Sequence, residues 1–419
     1  MNHGNASRAV LVTLVCFAVS MIDGFDTLML SFVAPLLSHT LHLDHAMLGR
    51  VFGAGFIGTV IGSIAAGPAA DRFGRRPVLI VALLVTGTLT LACAFAQSAE
   101  QLAALRFLGG LGMGGAIPPV AAITAECVPA RRRASFVILM FIGFPLGAVV
   151  GGAISAVLMM RYGWPFVFLM GGTFALAMLV PVVALIPSQR VVGVSHEARA
   201  GHARFATVLA EGRAAPAFAL WGGVLASMIV SGFLVNFIPT MLNLDGVPPA
   251  RAALGAVVLN LGAIAGALAL SWGVRRREPF TPVALALAAG GVLVCALGFF
   301  IGAGGGVFAM LFAAGACLVG GQLTFPAIAS RLFPAAVRAS GVGWTMAIGR
   351  LGSIIGPVVG GVLLARHMAF EPLFASIAAL ALAAALALAL SGRWRHRATT
   401  AADTEPGENG TLALAEGGH

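Results

Sequence analysis

Long apolar segments constrain this chain more than any other feature of its sequence. Of the 419 residues, 59% are hydrophobic and only 10% are charged, and the mean hydropathy is +0.99. A soluble domain carries about 25% charged residues, whereas a helix that crosses a bilayer takes about 20 apolar residues. Nearly the whole chain consists of such segments separated by short polar breaks, so the sequence predicts an all-α membrane protein.

Charged and Gly/Pro-rich breaks divide the chain into twelve predicted spans. The 55 glycines suit close packing between helices in lipid. The predicted limits of the spans are 9–37, 47–69, 78–96, 101–126, 134–160, 164–187, 215–242, 252–273, 281–302, 306–330, 338–364 and 369–392.

The arginines predict how the spans are oriented. All 25 basic residues are arginine, and nineteen of them lie in the two terminal segments and the loops that follow even-numbered spans. The other loops hold only Arg50, Arg161, Arg251 and Arg366. Because positive residues accumulate on the cytoplasmic side, we expect a multi-pass protein of the bacterial cytoplasmic (inner) membrane with both termini in the cytoplasm.

The remaining composition argues against several classes of function. The net charge of +10 does not indicate a nucleic-acid partner, because the arginines are not clustered on one soluble face. The five cysteines show neither metal-ligand spacing nor a disulfide framework, so we interpret them as packing residues. We find no Ser/His/Asp grouping, no CxxC pair and no phosphate-binding loop, so we expect no enzyme activity, no cofactor and no metal.

Short matches between the two halves of the chain indicate an internal duplication. PARRRAS at 129–135 and PAAVRAS at 334–340 agree in five of seven positions at an offset of 205. Secondary transporters are often built from such repeats, with the site near the midplane between them. We therefore expect two pseudo-symmetric six-helix bundles over 1–187 and 215–392, a cytoplasmic central loop over 188–214, and a disordered cytoplasmic tail over 393–419.

Two aspartates stand inside the first apolar span, in the stretch IDGFDT. A carboxylate in such a helix is costly unless it is paired, hydrated or protonated. Asp23 and Asp26 are three residues apart and so lie on one face of the helix, and close carboxylates in a low dielectric hold protons more tightly. The pair is therefore our candidate for proton coupling. In the structural alternative, one aspartate pins a kink at Gly24 and the other pairs with a buried arginine.

Arg106 and Arg350 are the two arginines that fall within spans. The planar guanidinium matches a carboxylate and does not lose its proton at useful pH. Arg350 lies deeper in its span, so we favour it as the group that binds a substrate carboxylate. For Arg106 three roles remain open, namely a substrate contact, structural packing, or a pair with Asp26.

The loop between spans 2 and 3 reads GPAADRFGRRP, with one acid among three bases. It resembles the loop 2–3 signature of the major facilitator superfamily, G-x-x-x-D-R-x-G-R-R. The resemblance implies that Asp71 with Arg72, Arg75 and Arg76 holds the cytoplasmic gate shut in one state of an alternating-access cycle. Without the resemblance, the arginines are equally well explained as topology anchors.

Further gate candidates follow from the repeat. Glu126 ends span 4, and at the repeat offset its counterpart is Arg331, so an ion pair between the halves is possible. A local pair between Glu126 and Arg133, or its neighbour Arg131, explains the same residues equally well. Arg133 corresponds to Arg338 at the offset of 205, and both are included among the gate residues.

Several segments resemble one branch of that superfamily, the aromatic acid/proton symporters. They are DGFD in span 1, RFLGGLGMGGA and TAE in span 4, and VRASGVGW and GRLGSIIGP in span 11. Span 7 departs from the pattern because no tryptophan precedes its Ile-Pro, and the loop after span 8 has lost its aspartate. The resemblance implies a proton-coupled symporter that imports a small aromatic carboxylate such as a hydroxybenzoate.

An aromatic substrate requires apolar walls with a few polar groups. Our candidates for the walls and the polar groups are Phe25, Phe237, Trp344, Asn236 and Gln322. Each of these residues is, taken alone, more typical of packing. The expected partners are the substrate, protons and lipid, and we expect a monomer.

The sequence leaves two other readings open. A proton-driven efflux antiporter of the same fold usually carries G-x-x-x-G-P-x-x-G-G in span 5, whereas here the full pattern, GSIIGPVVGG, stands in span 11. A transporter-like sensor would carry an added output domain, and the sequence shows none.

Overall fold

Twelve helical spans form the protein in a computed structural model, which describes residues 3–127, 133–186, 208–210, 212–274, 280–300, 306–334, 337–366 and 368–404. Each span is long and apolar enough to cross a membrane. In chain order the helices are His3–Leu41, His45–Phe73, Arg75–Cys93, Ala99–Cys127, Arg133–Tyr162, Pro165–Ala177 with Leu179–Leu185 (together span 6), Ala214–Leu244, Pro249–Val274, Phe280–Phe300, the segmented span 10 over Gly306–Leu332, Arg338–Ala365 and Phe370–Thr404. The predicted all-α fold with twelve spans is confirmed, and no strand occurs among the described residues.

The last helix differs from the prediction. We expected residues 393–419 to be a disordered tail, but the helix of span 12 continues to Thr404. The reason is visible in the sequence, because no proline follows Gly392 until Pro406 and alanines occupy part of the extension. Residues 405–419 and most of the predicted central loop, 187–207 and 211, lie outside the described residues, so those predictions stand as they were made.

Span 10 is segmented rather than one continuous α-helix. An α-helix over Gly306–Ala314 passes into a π-helical segment over Gly315–Val319, then a short turn over Gly320–Gln322. A last helix, Phe325–Leu332, has its proline in the first turn. Such π-segments often occur at functional sites, and this one lies beside Gln322. The hydrophobic pattern of the sequence does not predict this segment.

Glycines bring the helices of each half together in the same way. A Cβ added at Gly58 in span 2 would collide with the backbone of Phe107 in span 4. In the second half, a Cβ at Gly262 in span 8 would collide with the backbone of Phe312 in span 10. These two contacts are related by offsets of 204 and 205 residues, so the repeat seen in the sequence is also a repeat of helix packing.

The contacts between the two halves that the described residues show lie at one end of the molecule. Successive spans run in opposite directions, so the start of span 1 and the loops after even-numbered spans lie at what we call the termini end, and the other end is the far end. Ser31 of span 1 donates hydrogen bonds to the carbonyls of Val235 (2.7 Å) and Asn236 (2.9 Å) in span 7. The rings of Phe52 and Phe237 are 5.5 Å apart. Other contacts between the halves join Gly49 with Pro357, Gly152 with Val257, and Gly361 with His45. All these residues lie in the far-end parts of their spans.

Candidate transport site

Asp26 lies in a charged hydrogen-bonded cluster inside the first half. Its Oδ1 accepts a hydrogen bond from the hydroxyl of Thr90 in span 3, at 2.7 Å. The guanidinium of Arg106 in span 4 lies 3.4 Å from Oδ1 and 3.5 Å from Oδ2, and it also donates to the Asp26 backbone carbonyl at 3.3 Å. A further bond of 2.9 Å joins Arg106 to Thr90. The cluster therefore links spans 1, 3 and 4.

The Arg106 side chain is enclosed by the first half. Only 6% of the residue is exposed, and its Cζ lies 5.4 Å from the centroid of the Phe168 ring in span 6. A buried charge requires a partner of opposite sign, and Asp26 is that partner. Of the three roles left open by the sequence, the structure therefore shows the pair with Asp26.

Asp23 and Arg350 have a different relationship. Their charges attract each other although Asp23 belongs to span 1 and Arg350 to span 11, in opposite halves. Both residues are partly exposed. Within the part of the chain that the structure describes, neither side chain forms a hydrogen bond or an ion pair. Each thus has an opposite charge nearby and remains available to another group.

The two aspartates have different partners. We expected them to point into the same space, and the charge of Asp26 does act on Asp23. Asp26 nevertheless binds groups of its own half, whereas Asp23 is attracted by an arginine of the other half. Span 1 continues as one helix through Gly24. Because Gly24 has no Cβ, the backbone of Phe144 in span 5 can approach it closely.

Gln322 connects spans 10 and 7 in the second half. Its side-chain nitrogen donates to the carbonyl (2.8 Å) and hydroxyl (3.0 Å) of Ser227 and to the hydroxyl of Ser231. Ser231 lies 205 positions after Asp26, so it occupies the place in the second half that the aspartate occupies in the first. The second half thus has a neutral hydrogen-bonded cluster where the first half has a charged one.

Asn236 and Phe237 lie at the contact between the halves. Asn236 donates from Nδ2 to the carbonyl of Gly232 at 2.7 Å, and its buried Oδ1 has no hydrogen-bond partner among the described residues. The Phe237 ring packs against Phe52 of the other half and against Phe233. Both residues are almost completely buried with the halves in contact.

Two predicted wall residues lie elsewhere. Phe25 is buried inside the first half, where its ring covers Gly151 of span 5 and Gly171 of span 6. Trp344 lies near the start of span 11, where 41% of it is exposed and its ring is 6.5 Å from that of Trp221. The structure therefore does not bring Phe25 and Trp344 together with Asp23 and Arg350 through any described contact.

The predicted gate residues lie at the termini end. Arg72 is exposed with its Cζ 5.2 Å from the ring of Phe73, Arg76 donates to the carbonyl of Val183 at 2.6 Å, and Arg331 is exposed in the last turn of span 10. Arg75 begins span 3 after Gly74, which has a φ of 91°. The side chains of Asp71, Glu126, Arg133 and Arg338 lie outside the described part of the structure, so the predicted ion pairs remain predictions.

The model of the Major Facilitator Superfamily matches residues 16–357. The chain belongs to this superfamily. Its relatives include the gallate transporter of Pseudomonas putida, 34% identical over 96% of this chain and 95% of the relative, and the 4-hydroxybenzoate transporter PcaK of Pseudomonas aeruginosa, 32% identical over 92% and 93%. A crystal structure of a D-xylose-proton symporter shares the fold, with a TM-score of 0.74, 17% identity, and coverage of 90% of this chain and 97% of the other. These proteins are transporters and not enzymes.

Several residues of this transporter that take part in these contacts carry no distinguishing signal in the sequence. They are hydroxyl-bearing residues within apolar spans that bind the predicted residues: Thr90, Ser227, Ser231 and Ser31. Their only sequence signal is a hydroxyl in a span, and span 3 alone has three threonines. Because small hydroxyl residues commonly bond to their own helix, sequence could not have separated these four from the rest.

Proposed function

We propose that the protein imports a small aromatic carboxylate, such as a hydroxybenzoate, together with protons by alternating access. The observation that carries this proposal is the placement of Asp23 and Arg350 within apolar spans of opposite halves, where neither side chain forms an ion pair or a hydrogen bond with a described residue. The names of the relatives, transporters of gallate and 4-hydroxybenzoate, support the substrate class.

Competition for Arg350 provides a mechanism of coupling. An arginine within the membrane binds a carboxylate strongly because its charge is poorly screened there. While Asp23 is ionised, it attracts Arg350 and repels an incoming carboxylate. When Asp23 takes up a proton, the repulsion ends and Arg350 is free to bind the substrate. Proton and carboxylate therefore bind together, as symport requires.

The other predicted residues take supporting roles in this proposal. Gln322 and Asn236 supply polar groups for the substrate and Phe237 supplies aromatic surface, whereas Trp344 acts near the termini end, beside Trp221. Arg106 and Phe25 act from within the first half, Arg106 through Asp26 and Phe25 by packing. Asp71 and the other gate residues hold the termini end closed in the opposite state of the cycle.

The orientation follows from the arginines. With nineteen of 25 arginines in the terminal segments and the loops after even-numbered spans, the positive-inside rule places both termini in the cytoplasm of a bacterial cell. The contacts between the halves then lie on the outer side of the inner membrane. In the proposed cycle, contact at that end belongs to the inward-facing state, and we propose that the functional unit is a monomer.

The test is transport into proteoliposomes. We expect an inward proton gradient to drive uptake of labelled 4-hydroxybenzoate, and we expect benzoates but not aliphatic acids to compete. Asp23→Asn should lose the response to the gradient but retain exchange of substrate across the membrane. Asp44→Asn, which removes a helix-capping carboxylate at the far end, is the matched control and should retain both. Gradient-driven export would instead indicate an antiporter, and an unchanged response in Asp23→Asn would overturn the coupling mechanism.

A further inference from the structure

We propose that the side-chain amide of Gln322 binds a ring hydroxyl of the substrate, so that the transporter prefers hydroxylated benzoates to benzoates without a hydroxyl. The binding atom is Oε1, a hydrogen-bond acceptor on an amide that two serines of span 7 hold in place. This inference rests on the proposed function, because it specifies which aromatic carboxylates the same site prefers.

The amide of Gln322 has one orientation that satisfies its surroundings. Its nitrogen lies 2.8 Å from the backbone carbonyl oxygen of Ser227, and a carbonyl oxygen can only accept a hydrogen bond. The same nitrogen donates to the hydroxyls of Ser227, at 3.0 Å, and Ser231. With the amide turned over, Oε1 would face the Ser227 carbonyl with no hydrogen between the two acceptors. The nitrogen therefore faces span 7, and Oε1 is directed away from the Ser227 carbonyl.

Oε1 is the part of this amide that remains available to a ligand. Among the residues that the structure describes, none donates a hydrogen bond to Oε1 of Gln322. Only 8% of the residue is exposed, but Oε1 keeps some access to solvent, unlike the fully buried Oδ1 of Asn236. A fixed and nearly buried acceptor favours a ligand that brings a donor, because a ligand without one leaves the acceptor unpaired.

Gln322 and Arg350 lie beside span 7 at nearly the same depth in the membrane. A Cβ added at Gly349, the residue before Arg350, would lie 3.5 Å from the side chain of Met228. Met228 directly follows Ser227, which binds Gln322. The two residues are therefore separated by about one helical turn, 5.4 Å, along span 7, and they lie on neighbouring faces of that helix. A ring whose carboxylate binds Arg350 can direct a distant hydroxyl towards Gln322.

A phenolic hydroxyl has the chemistry that Oε1 requires. A phenol, like the tyrosine side chain, keeps its hydrogen at neutral pH and can donate it. The hydroxyl of 4-hydroxybenzoate lies across the ring from the carboxylate and is free to bind Gln322. The hydroxyl of 2-hydroxybenzoate instead donates to its own neighbouring carboxylate. The two isomers contain the same atoms, so they separate a hydrogen bond at Gln322 from a general effect of polarity.

Competition measurements in proteoliposomes test the preference. The inhibition constants of unlabelled probes are measured against uptake of labelled 4-hydroxybenzoate. In the native chain we expect 4-hydroxybenzoate to bind about tenfold more tightly than 4-fluorobenzoate, which has nearly the same shape but no donor. Gln322→Met keeps the length of the side chain and removes its amide. This variant should raise the constant for 4-hydroxybenzoate about tenfold and leave those for 4-fluorobenzoate and 2-hydroxybenzoate within about twofold.

Two further variants separate recognition of the hydroxyl from packing. Asn260→Leu in span 8 is the matched control, because this buried amide donates to the carbonyl of Ala256 in its own helix, and we expect native constants for all probes. Ser231→Ala keeps Gln322 but removes one of the groups that hold its amide. The constant for 4-hydroxybenzoate should therefore rise in Ser231→Ala while that for 4-fluorobenzoate does not. This variant keeps the test decisive if Gln322→Met fails to fold.

Several outcomes would overturn the inference. An equal rise for all three probes in Gln322→Met would show that Gln322 acts through packing. Native constants that are equal for 4-hydroxybenzoate and 4-fluorobenzoate would show that no acceptor binds the hydroxyl. An unchanged constant for 4-hydroxybenzoate in Gln322→Met or in Ser231→Ala would show that the acceptor is another group or that the serines do not position it.

Failure of the proposed function itself would have a separate signature. If the native chain takes up no 4-hydroxybenzoate in response to a proton gradient, the symport proposal falls and this inference falls with it. If the native chain shows such uptake and 4-fluorobenzoate competes as well as 4-hydroxybenzoate, import of aromatic carboxylates stands and only the role of Gln322 is wrong.

Discussion

Replacing Ser31 with alanine should open the far end of the transporter more often. The Ser31 hydroxyl donates to the carbonyls of Val235 and Asn236 in the opposite half and is completely buried. Pro239 lies four residues after Val235 and has no N–H, so the Val235 carbonyl lacks its usual partner within the helix. Ser31 replaces that missing donor, but only while the two halves are in contact at this end.

The size of the effect follows from what the substitution leaves behind. A buried acceptor without a partner costs about 1–3 kcal/mol. With the far end open, water reaches the carbonyl, so the cost applies only to the closed state. Because 1.4 kcal/mol corresponds to a factor of ten, the open population should rise about fivefold to a hundredfold relative to the closed one.

Labelling of a cysteine at the contact measures this population. Val257 of span 8 is buried against Gly152 of the other half, so Val257→Cys reports opening through its rate of reaction with a membrane-impermeant maleimide added from the far side. Chains without this substitution correct for the five native cysteines. The rate should rise when Ser31→Ala is added, and not when the control Ser38→Ala is added, since the Ser38 hydroxyl bonds within span 1 to Ala34. Equal rates in both variants would refute the reasoning.

Two further predictions concern packing and substrate binding. Gly62→Ala should destabilise the protein by about 1–3 kcal/mol, because the added Cβ would meet the backbone of Leu111. The control Gly67→Ala in the same span has open space around it and should leave the stability unchanged. Thermal unfolding in detergent measures both variants, and equal melting temperatures would contradict the prediction. Arg350→Lys should raise the KM for 4-hydroxybenzoate about tenfold, because lysine keeps the charge but loses the planar fork. An unchanged KM, or an equal rise in the exposed control Arg366→Lys, would count against a carboxylate at Arg350.

The fold was accessible from sequence because its determinants are local. The length of an apolar segment decides whether it spans a membrane, and each of the twelve spans appears within a few residues of its predicted limits. The π-helical segment at Gly315–Val319 and the extension of the last helix to Thr404 were not predicted. The π-helical segment depends on how span 10 adjusts against its neighbours, and the extension depends on the absence of a helix breaker before Pro406; the hydrophobic pattern records neither.

The charged residues of the site were also visible in sequence, since an ionisable group inside an apolar span stands out. By itself the sequence determined that Asp23, Asp26, Arg106 and Arg350 lie in the membrane. Which acid meets which arginine was decided by the tertiary structure alone. Positions three residues apart differ by about 60° around a helix, enough for Asp26 to meet Arg106 and Thr90 in its own half while Asp23 is drawn to Arg350 in the other. Those partners lie on helices distant in the chain, and only the packing of the helices brings them to span 1.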